Sequence, residues 1–314
     1  MFLSPLVAAI KKAYADNPRL PFQDTARAIY RRMRGDQNDL LRNFKAIHAT
    51  KPLRCNPASR TEIHTLTCHK HVFMFLTAAK SLLRFESDVA AVVHDDGSLT
   101  DRDVATIKRH IEGISVIRRR DADVAMDNLL ASFPKTRAYR SQVINSLELT
   151  DHLLLSTGEK VMITNSDTLF LRRPDDLLRW FESDGDEVLC VYEREPYQQA
   201  DFLRRRQSSF PPHLTLALTC FRRDAVDPSG IEDLLNQVND ADDPWYIGQN
   251  SLPVLIGESV EPGRVRFLDK ASYQASGVFE DGAIFRHYWT SLASLNTQYF
   301  SDATKVISDL KAMR

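Results

Sequence analysis

The sequence predicts an α/β fold in which a mostly parallel sheet is flanked by helices (residues 59–314) and preceded by a helical appendage (residues 1–58). From residue 60 onward, apolar runs of strand length alternate with helical stretches, the order typical of a parallel sheet with crossover helices. Several of these runs are almost wholly apolar, as expected for strands buried on both faces. The 314 residues are 43% apolar and 26% charged, which is typical of a globular protein that can bury a core.

The appendage is predicted from helix signals near the start of the chain. Ser4 can cap a helix and Pro5 suits the first helical position, and apolar residues then recur at helical spacing. Two further helical stretches follow up to residue 47. Pro52 and Pro57 then favour a linker.

Charge is unevenly distributed along the chain. Residues 1–60 hold 12 Lys and Arg against 4 Asp and Glu, although the whole chain has a net charge of −1. Two interpretations remain open: residues 1–48 contact an anionic membrane or an acidic partner, or this basic face is simply solvated while the helices pack on the sheet domain. The apolar segment Phe2–Ile10 lacks a preceding basic region, and no uncharged apolar stretch is long enough to span a bilayer. With no CxxC pair among the four cysteines, we expect a cytoplasmic protein, and the first of these interpretations places it peripheral to the inner face of a membrane.

The strands and helices of the sheet domain follow from apolar runs, caps and turn residues. Strands are predicted at Ile63–Thr67, Val89–Val93, Ile114–Ile117, Lys160–Thr164, Val188–Tyr192, Leu214–Phe221, Val265–Leu268 and Ala283–Arg286. Helices are predicted at Val72–Leu83, Asp101–His110 with Thr100 as its N-cap, about 122–132, about 136–149, and from Pro174 to Phe181. In such sheets, ligands bind beyond the carboxyl ends of the strands.

Polar residues follow three of these strands at their carboxyl ends: Cys68-His69-Lys70-His71, His94 to Ser98, and Asn165-Ser166-Asp167. The third group is the most informative, because a carboxylate and an amide oxygen at a strand end can hold a divalent cation that neutralises a diphosphate. The alternative is an ordinary turn in which Asn165 and Asp167 cap backbone groups. A structural zinc site at Cys68 is not favoured, since only Cys55 lies near it in sequence.

The stretch Asn165-Ser166-Asp167-Thr168-Leu169, with the Arg and Pro residues after it, resembles the DxD region of GT-A fold glycosyltransferases, especially the retaining, glycogenin-like group. Here Asn replaces the first acid of the motif. The resemblance implies a GT-A-like, Rossmann-type sheet and transfer of a sugar from a UDP- or GDP-sugar to a carbohydrate, lipid-linked or protein acceptor. It also implies Mn²⁺ or Mg²⁺ as the cofactor.

The same resemblance implies roles for individual residues. Asp167, Asn165 and His287 would hold the metal, with His287 matching a late strand that ends in histidine. Asp167, Arg140 and Gln249 would be catalytic; Arg140 follows Tyr139 on a helix, and Gly248-Gln249-Asn250 resembles an acceptor-side turn that usually carries Asp-Gln. The donor nucleotide would be bound by Thr67, Cys68, His69, Asp95, Asp96 and Ser166.

Two other functions remain open. A sugar nucleotidyltransferase needs a similar sheet and metal, but Cys68–His71 lacks the glycines of its usual phosphate loop. A non-catalytic module that binds a nucleotide sugar or a partner is motivated by Asn165. The chain has no GxGxxG after a strand and no GxxxxGK[ST], and its aromatic residues are not interleaved with basic ones, so dinucleotide, P-loop and nucleic-acid-binding classes are not expected.

Overall fold

A computed structural model describes residues 45–193, 213–227, 229–239, 244–275, 279–288 and 297–313. The chain divides into two units, one formed by Pro52–His287 and the other by Met1–Lys51 together with Tyr288–Arg314. Most of the predicted appendage lies outside the described residues, and so do most of the basic residues that were considered for contact with a membrane. The appendage and its boundary at residue 58 therefore stay predictions.

Among the described residues, the central sheet has seven strands in the order β10-β8-β9-β6-β2-β3-β5. The strands of the described residues are β1 Leu53–Arg54, β2 Thr61–Thr67, β3 Ala90–Asp95, β4 Ile111–Glu112, β5 Ser115–Ile117, β6 Lys160–Thr164, β7 Thr168–Phe170, β8 Val188–Tyr192, β9 Leu214–Arg222, β10 Val265–Phe267, β11 Tyr273–Gln274 and β12 Phe285–His287. Within the central sheet only β9 runs antiparallel to its neighbours, β6 and β8. The predicted class, a mixed and mostly parallel sheet flanked by helices, is confirmed.

The helices of the described residues are α1 Val72–Leu83, α2 Asp101–His110, α3 Arg119–Leu129, α4 Pro134–Gln142, α5 Ser146–Leu154, α6 Asp175–Glu182, α7 Ser229–Leu235, α8 Pro244–Ser259 and α9 Thr297–Ala312. The predicted N-cap of α2 is confirmed: Thr100 accepts a hydrogen bond from the backbone of Asp103, whose side chain bonds back to Thr100. No helix among the described residues is both long and apolar enough to cross a membrane.

Three local predictions are wrong. The single helix predicted at about 136–149 is two helices, α4 and α5, because the chain becomes extended at Val143. Leu53–Arg54, within the predicted appendage, is a strand that pairs with β4. The turn predicted at Gly248–Asn250 lies inside α8.

The strand directions bring the carboxyl ends of β2, β3, β5, β6, β8 and β10 to one edge of the sheet, which we call the carboxyl edge. A small second sheet, in the order β11-β12-β7, begins there, since β7 follows β6 after the three residues of the Asn165–Asp167 turn. Strand β12 runs antiparallel to β7 and pairs His287 with Thr168. This register sets His287 beside the turn that ends β6.

In the unit that contains the C-terminus, α9 is held by an aromatic and polar contact. Tyr288 donates a hydrogen bond of 2.8 Å to Asp302, and its ring meets that of Tyr299 edge-on at 5.0 Å between centroids. All three residues are buried, so this contact fixes the helix within its own unit.

Candidate active site at the carboxyl edge

Asp167 and His287, which are far apart in sequence, lie next to each other at the carboxyl edge. Asp167 Oδ1 is 3.4 Å from His287 Nε2, and the two side chains are 13% and 7% exposed. The pairing of β12 with β7 causes this proximity, because it fixes His287 opposite the residue that follows Asp167. Two of the three residues predicted to hold a metal are thus brought together.

The surroundings of His287 favour its protonated form. Burial alone lowers the pKa of the imidazole, but the neighbouring charge of Asp167 and a hydrogen bond to it raise the pKa. The charge of Glu193 and a hydrogen bond to the backbone of Ala275 act in the same direction, and the net pKa is raised. The site therefore attracts positive charge.

Hydroxyl groups hold the Asn165–Asp167 turn. Thr168 Oγ1 donates a hydrogen bond of 2.8 Å to the backbone oxygen of Asn165. Thr164 Oγ1 donates one of 3.0 Å to the backbone of Ala217 in β9 and lies 3.2 Å from Thr168 Oγ1. Ser166 is buried within the turn. This turn carries Asp167 on a backbone that neighbouring strands hold in place.

The loop after β2 lies beside Asp167. His71 in this loop is half-buried; burial lowers its pKa, while the charges of Asp167 and Asp96 oppose that effect. Thr67 ends β2 with a buried hydroxyl that has no hydrogen-bond partner among the described residues. The edge therefore combines an unused hydroxyl with nearby carboxylates.

The remaining residues predicted after β2 are tied to the neighbouring loop. The backbone N–H of His69 donates 2.9 Å to Ser98 Oγ, and His69 Nδ1 lies 2.7 Å from Asp103 Oδ2. Cys68 is half-buried, and burial raises the pKa of its thiol. The predicted nucleotide-binding residues of β2 and β3 are thus close together in space.

Asp95 serves its own loop. Its Oδ1 accepts hydrogen bonds from the backbones of Gly97 and Leu99, at 2.8 and 3.0 Å. Its Oδ2 lies 3.0 Å from Arg118 Nε. Asp96 likewise accepts from Ser98, at 2.6 Å from its hydroxyl. Both acids shape the loop that was predicted to contact the nucleoside.

Arg118 is a residue of this edge that the sequence analysis missed. It directly follows β5 and also lies 2.9 Å from Asp101 Oδ1 and donates 2.8 Å to the backbone of Leu99. The available signal was the Arg118-Arg119-Arg120 run immediately after a predicted strand, at the edge where ligands bind.

Arg140 is almost fully buried and is held by two acids. It makes two parallel hydrogen bonds to Asp151, at 2.7 and 2.8 Å, and a third to Asp123 at 2.6 Å. Burial would lower the pKa of the guanidinium, but the two acids raise it. The group predicted to face the donor is therefore engaged by the protein itself.

Helices α4 and α8 approach each other at Gly248. A Cβ atom at this position would lie 2.9 Å from the hydroxyl oxygen of Tyr139, the residue before Arg140. The missing side chain thus allows the predicted Tyr-Arg helix and the Gly248–Asn250 segment to meet. The side chain of Gln249 lies outside the described residues, so its catalytic role stays a prediction.

A separate polar cluster lies inside the fold, and we call Glu62, His64, His94 and His152 the histidine layer. His64 Nδ1 is 2.9 Å from His94 Nε2, and His64 Nε2 is 3.0 Å from Glu62 Oε2. The His152 ring, on α5, lies 4.5 Å from that of His94 between centroids. All four residues are buried.

The metal-ligating side chains at the edge are few. Among the described residues, no group of three or more His, Cys, Asp and Glu side chains is arranged to hold a metal ion. Magnesium-like ions, however, are commonly held by one or two carboxylates with waters and substrate phosphates completing the shell. Asp167 and His287, with the Asn165 amide two residues before Asp167, fit such an open site.

Comparison with known proteins shows the fold. No family model matches the chain, and no curated protein matches it. An active-site mutant of galactosyltransferase LgtC is 13% identical with a TM-score of 0.52, covering 79% of this chain and 95% of its own. LgtC in complex with donor and acceptor sugar analogues is 13% identical with a TM-score of 0.51, covering 81% and 97%. Mouse xyloside xylosyltransferase 1 in its apo form is 14% identical with a TM-score of 0.49, covering 75% and 98%. The two LgtC structures, with TM-scores above 0.5, confirm the expected GT-A-like fold.

Proposed function

We propose that this chain is a metal-dependent glycosyltransferase that uses a nucleoside-diphosphate sugar as donor. The observation that carries the proposal is the pair formed by Asp167 and His287, 3.4 Å apart at the carboxyl edge. A carboxylate and an imidazole meet there at the edge where such sheets bind ligands. The fold shared with LgtC supports the same reaction class.

Asp167, His287 and Asn165 would hold Mn²⁺ or Mg²⁺. When bound, the cation would neutralise charge on the donor diphosphate, which leaves with the developing negative charge. The raised pKa of His287 supports this role, because the same carboxylates that stabilise a proton on the ring would stabilise a cation in its place.

The other edge residues would bind and orient the donor. The buried Thr67 hydroxyl, which has no partner among the described residues, would hydrogen-bond the nucleotide, with Cys68, His69 and Ser166 nearby in the same loops. Arg140 would stabilise negative charge on the diphosphate. To do so, its guanidinium would release Asp151 or Asp123 and bind the donor instead. Retention of the anomeric configuration follows from the resemblance to the glycogenin-like group.

The test compares Asp167→Ala with wild type in a donor-hydrolysis and transfer assay over a panel of UDP- and GDP-sugars with Mn²⁺. We expect metal-dependent turnover to vanish in the variant while its circular dichroism and melting temperature stay those of wild type. Asp175→Ala is the matched control, because Asp175 is an exposed acid that pairs with Arg173. Turnover of Asp167→Ala at the wild-type level would contradict the proposed site.

A second candidate is a non-catalytic module that binds a nucleotide sugar. It is favoured by the three hydrogen bonds that tie Arg140 to Asp151 and Asp123, and by Asn165 in place of an acid. A ligand that binds only the folded state raises its melting temperature. Donors that raise the melting temperature of wild type, without any turnover across the panel and a range of acceptors, would favour this module over the enzyme.

A further inference from the structure

A cluster of three aromatic rings and one ammonium group lies at the carboxyl edge, outside the site described above. The Tyr192 ring stacks on that of His213, with centroids 4.2 Å apart and planes inclined by 20°. Phe267 meets Tyr192 edge-on at 5.4 Å. Lys270 Nζ lies 3.3 Å from the centroid of the Tyr192 ring. The three rings are half-buried and Lys270 is exposed.

Lys270 differs from the charged residues around it. Arg266 pairs with Glu187 at 2.7 Å, and Asp269 accepts a hydrogen bond of 2.9 Å from the backbone of Ser272. Among the described residues, no carboxylate lies within ion-pair distance of Lys270. The Tyr192 ring attracts the ammonium and restricts it, because the face of an aromatic ring is electronegative. A positioned cation without an anionic neighbour is an arrangement that binds anions.

His213 adds a polar group of defined character. Its Nδ1 lies 2.8 Å from the backbone oxygen of Glu193. Since a carbonyl oxygen only accepts, Nδ1 must carry the proton, which leaves Nε2 of the neutral ring as an acceptor. The cluster therefore offers an apolar ring surface, an acceptor for a hydroxyl group and a cation. A sugar has C–H faces and hydroxyl groups, and an acidic sugar adds the matching anion.

The cluster adjoins the proposed active site. Tyr192 is followed directly by Glu193, whose charge helps to raise the pKa of His287. The segment that carries Lys270 is anchored to β8 by a hydrogen bond of 2.8 Å from the backbone of Leu268 to that of Cys190. A few residues later the same segment forms β11, which pairs with β12. The segment that carries Lys270 is thus bonded to β8 at one end and continues at the other into β11, which pairs with the strand of His287.

We propose that Tyr192, His213 and Lys270 form the acceptor subsite, and that it takes a saccharide bearing an anionic group, either a carboxylate or a phosphate. The subsite is an acceptor site only if the chain transfers sugars, so this part of the proposal rests on the proposed function. The binding of an acidic saccharide can be measured without that reaction. Lys270 binds the anion, and His213 Nε2 accepts from a sugar hydroxyl. Tyr192 positions both groups, because His213 and Lys270 cover its two faces, and the half-buried Phe267 ring contacts the apolar part of the sugar.

The experiment is a titration by NMR, without added metal, of the full chain with methyl glucoside, glucuronic acid, glucose 6-phosphate and inorganic phosphate. We expect at least one of the two anionic sugars to bind about tenfold more tightly than methyl glucoside, the effect of one charge-assisted contact. Lys270→Gln should remove this preference, and Lys270→Arg should retain it. Lys108→Gln, which changes an exposed lysine on α2, is the matched control and should behave as wild type.

Each outcome has a defined meaning. A preference for glucuronic acid alone identifies the anion as a carboxylate, and a preference for glucose 6-phosphate alone identifies it as a phosphate. Equal binding of neutral and anionic sugars, or an unchanged preference in Lys270→Gln, overturns the subsite. Inorganic phosphate binding as tightly as glucose 6-phosphate overturns the saccharide part. If acidic sugars bind as expected while no donor is turned over, the subsite stands and the glycosyl transfer fails.

Discussion

The His64–Glu62 pair of the histidine layer and the His287–Asp167 pair of the carboxyl edge are built differently. In the histidine layer, Glu62 contacts His64 at 3.0 Å and also accepts from Thr157 at 2.6 and 2.9 Å. At the carboxyl edge, Asp167 and His287 are 3.4 Å apart, a looser contact, in a turn between strands. Proximity of histidine and carboxylate therefore does not by itself identify a functional site. What supports the proposed site is the position of the Asp167–His287 pair at the carboxyl ends of the strands.

The two regions also act on histidine pKa values in opposite directions. Burial lowers the pKa values of His94 and His152 well below the ordinary value. Electrostatic interactions add to the effect, with His64 for both rings and with His152 and Arg140 for His94. The pKa of His287 is raised because carboxylates surround it. The interior keeps the His94 and His152 rings neutral, whereas the carboxylates at the edge favour positive charge on His287.

Replacing the buried carboxylate of Asp151 should have the largest effect on the free energy of unfolding. Asp151→Ala leaves the Arg140 guanidinium buried with one exposed partner, and breaking a buried pair in this way costs about 3–5 kcal/mol. We expect the free energy of unfolding in urea to fall by about that amount. Asp123→Ala, which removes the acid that is 45% exposed, should cost much less. Equal losses in the two variants would show that burial does not separate their roles.

The second largest effect should be a loss of folding stability at acidic pH. Below about pH 6.5 the unfolded chain protonates His94 and His152, whereas the folded chain keeps them neutral. The stability present above that pH is therefore lost as the pH falls, by up to about 1.4 kcal/mol per pH unit for each histidine. The groups that face these rings are His64, with Glu62 behind it, and Arg140. Denaturant unfolding between pH 7.5 and 5.5 measures this slope.

The matched variant for the acid prediction is His152→Leu. Both ring nitrogens of His152 are buried without a hydrogen-bond partner among the described residues, so leucine removes a polar group that nothing satisfies. The variant should lose about half of the acid slope and keep its fold at pH 7.5. A slope equal to that of wild type would mean that His152 is not one of the groups that bind the protons.

The smallest expected effect concerns the edge. Asn165→Asp adds a second carboxylate to the proposed cation site, and hard cations prefer charged oxygen ligands. We expect the affinity for Mn²⁺, measured by calorimetry, to rise by about tenfold, or about 1.4 kcal/mol. Asp167→Ala is the negative control and should not bind. Unchanged or weaker Mn²⁺ binding by Asn165→Asp would mean that residue 165 does not face the ion.

Local signals in the sequence were enough for the elements that are bounded by polar residues. Helix α1 and strands β6 and β8 have the predicted bounds, because each is an apolar run between polar turns. Two-residue strands such as β1 exist only through their partner, so their own sequence carries too little pattern to reveal them. In α8, Gly248 and an internal Pro253 are turn-like residues, but packing overrides them.

The candidate site was only partly accessible from sequence. Asp167 could be found because it stands alone as an acid after an apolar strand, and His287 because of the resemblance. The engagement of Arg140 by Asp151 and Asp123 could not be found, since it depends on how α3, α4 and α5 pack. The same holds for Tyr192, His213 and Lys270, which meet only after β8, β9 and β10 have aligned.

The pairing of His287 with Thr168 has a consequence for how this chain tolerates change in length. Side chains alternate between the two faces of a strand, so a one-residue slip of β12 against β7 would turn His287 to the opposite face. Insertions between these two strands can be accommodated in surface connections, whereas a single insertion inside Phe285–His287 would separate His287 from Asp167. In the evolution of this chain, deletions and insertions within these three residues would be more damaging to the pair than most substitutions around it.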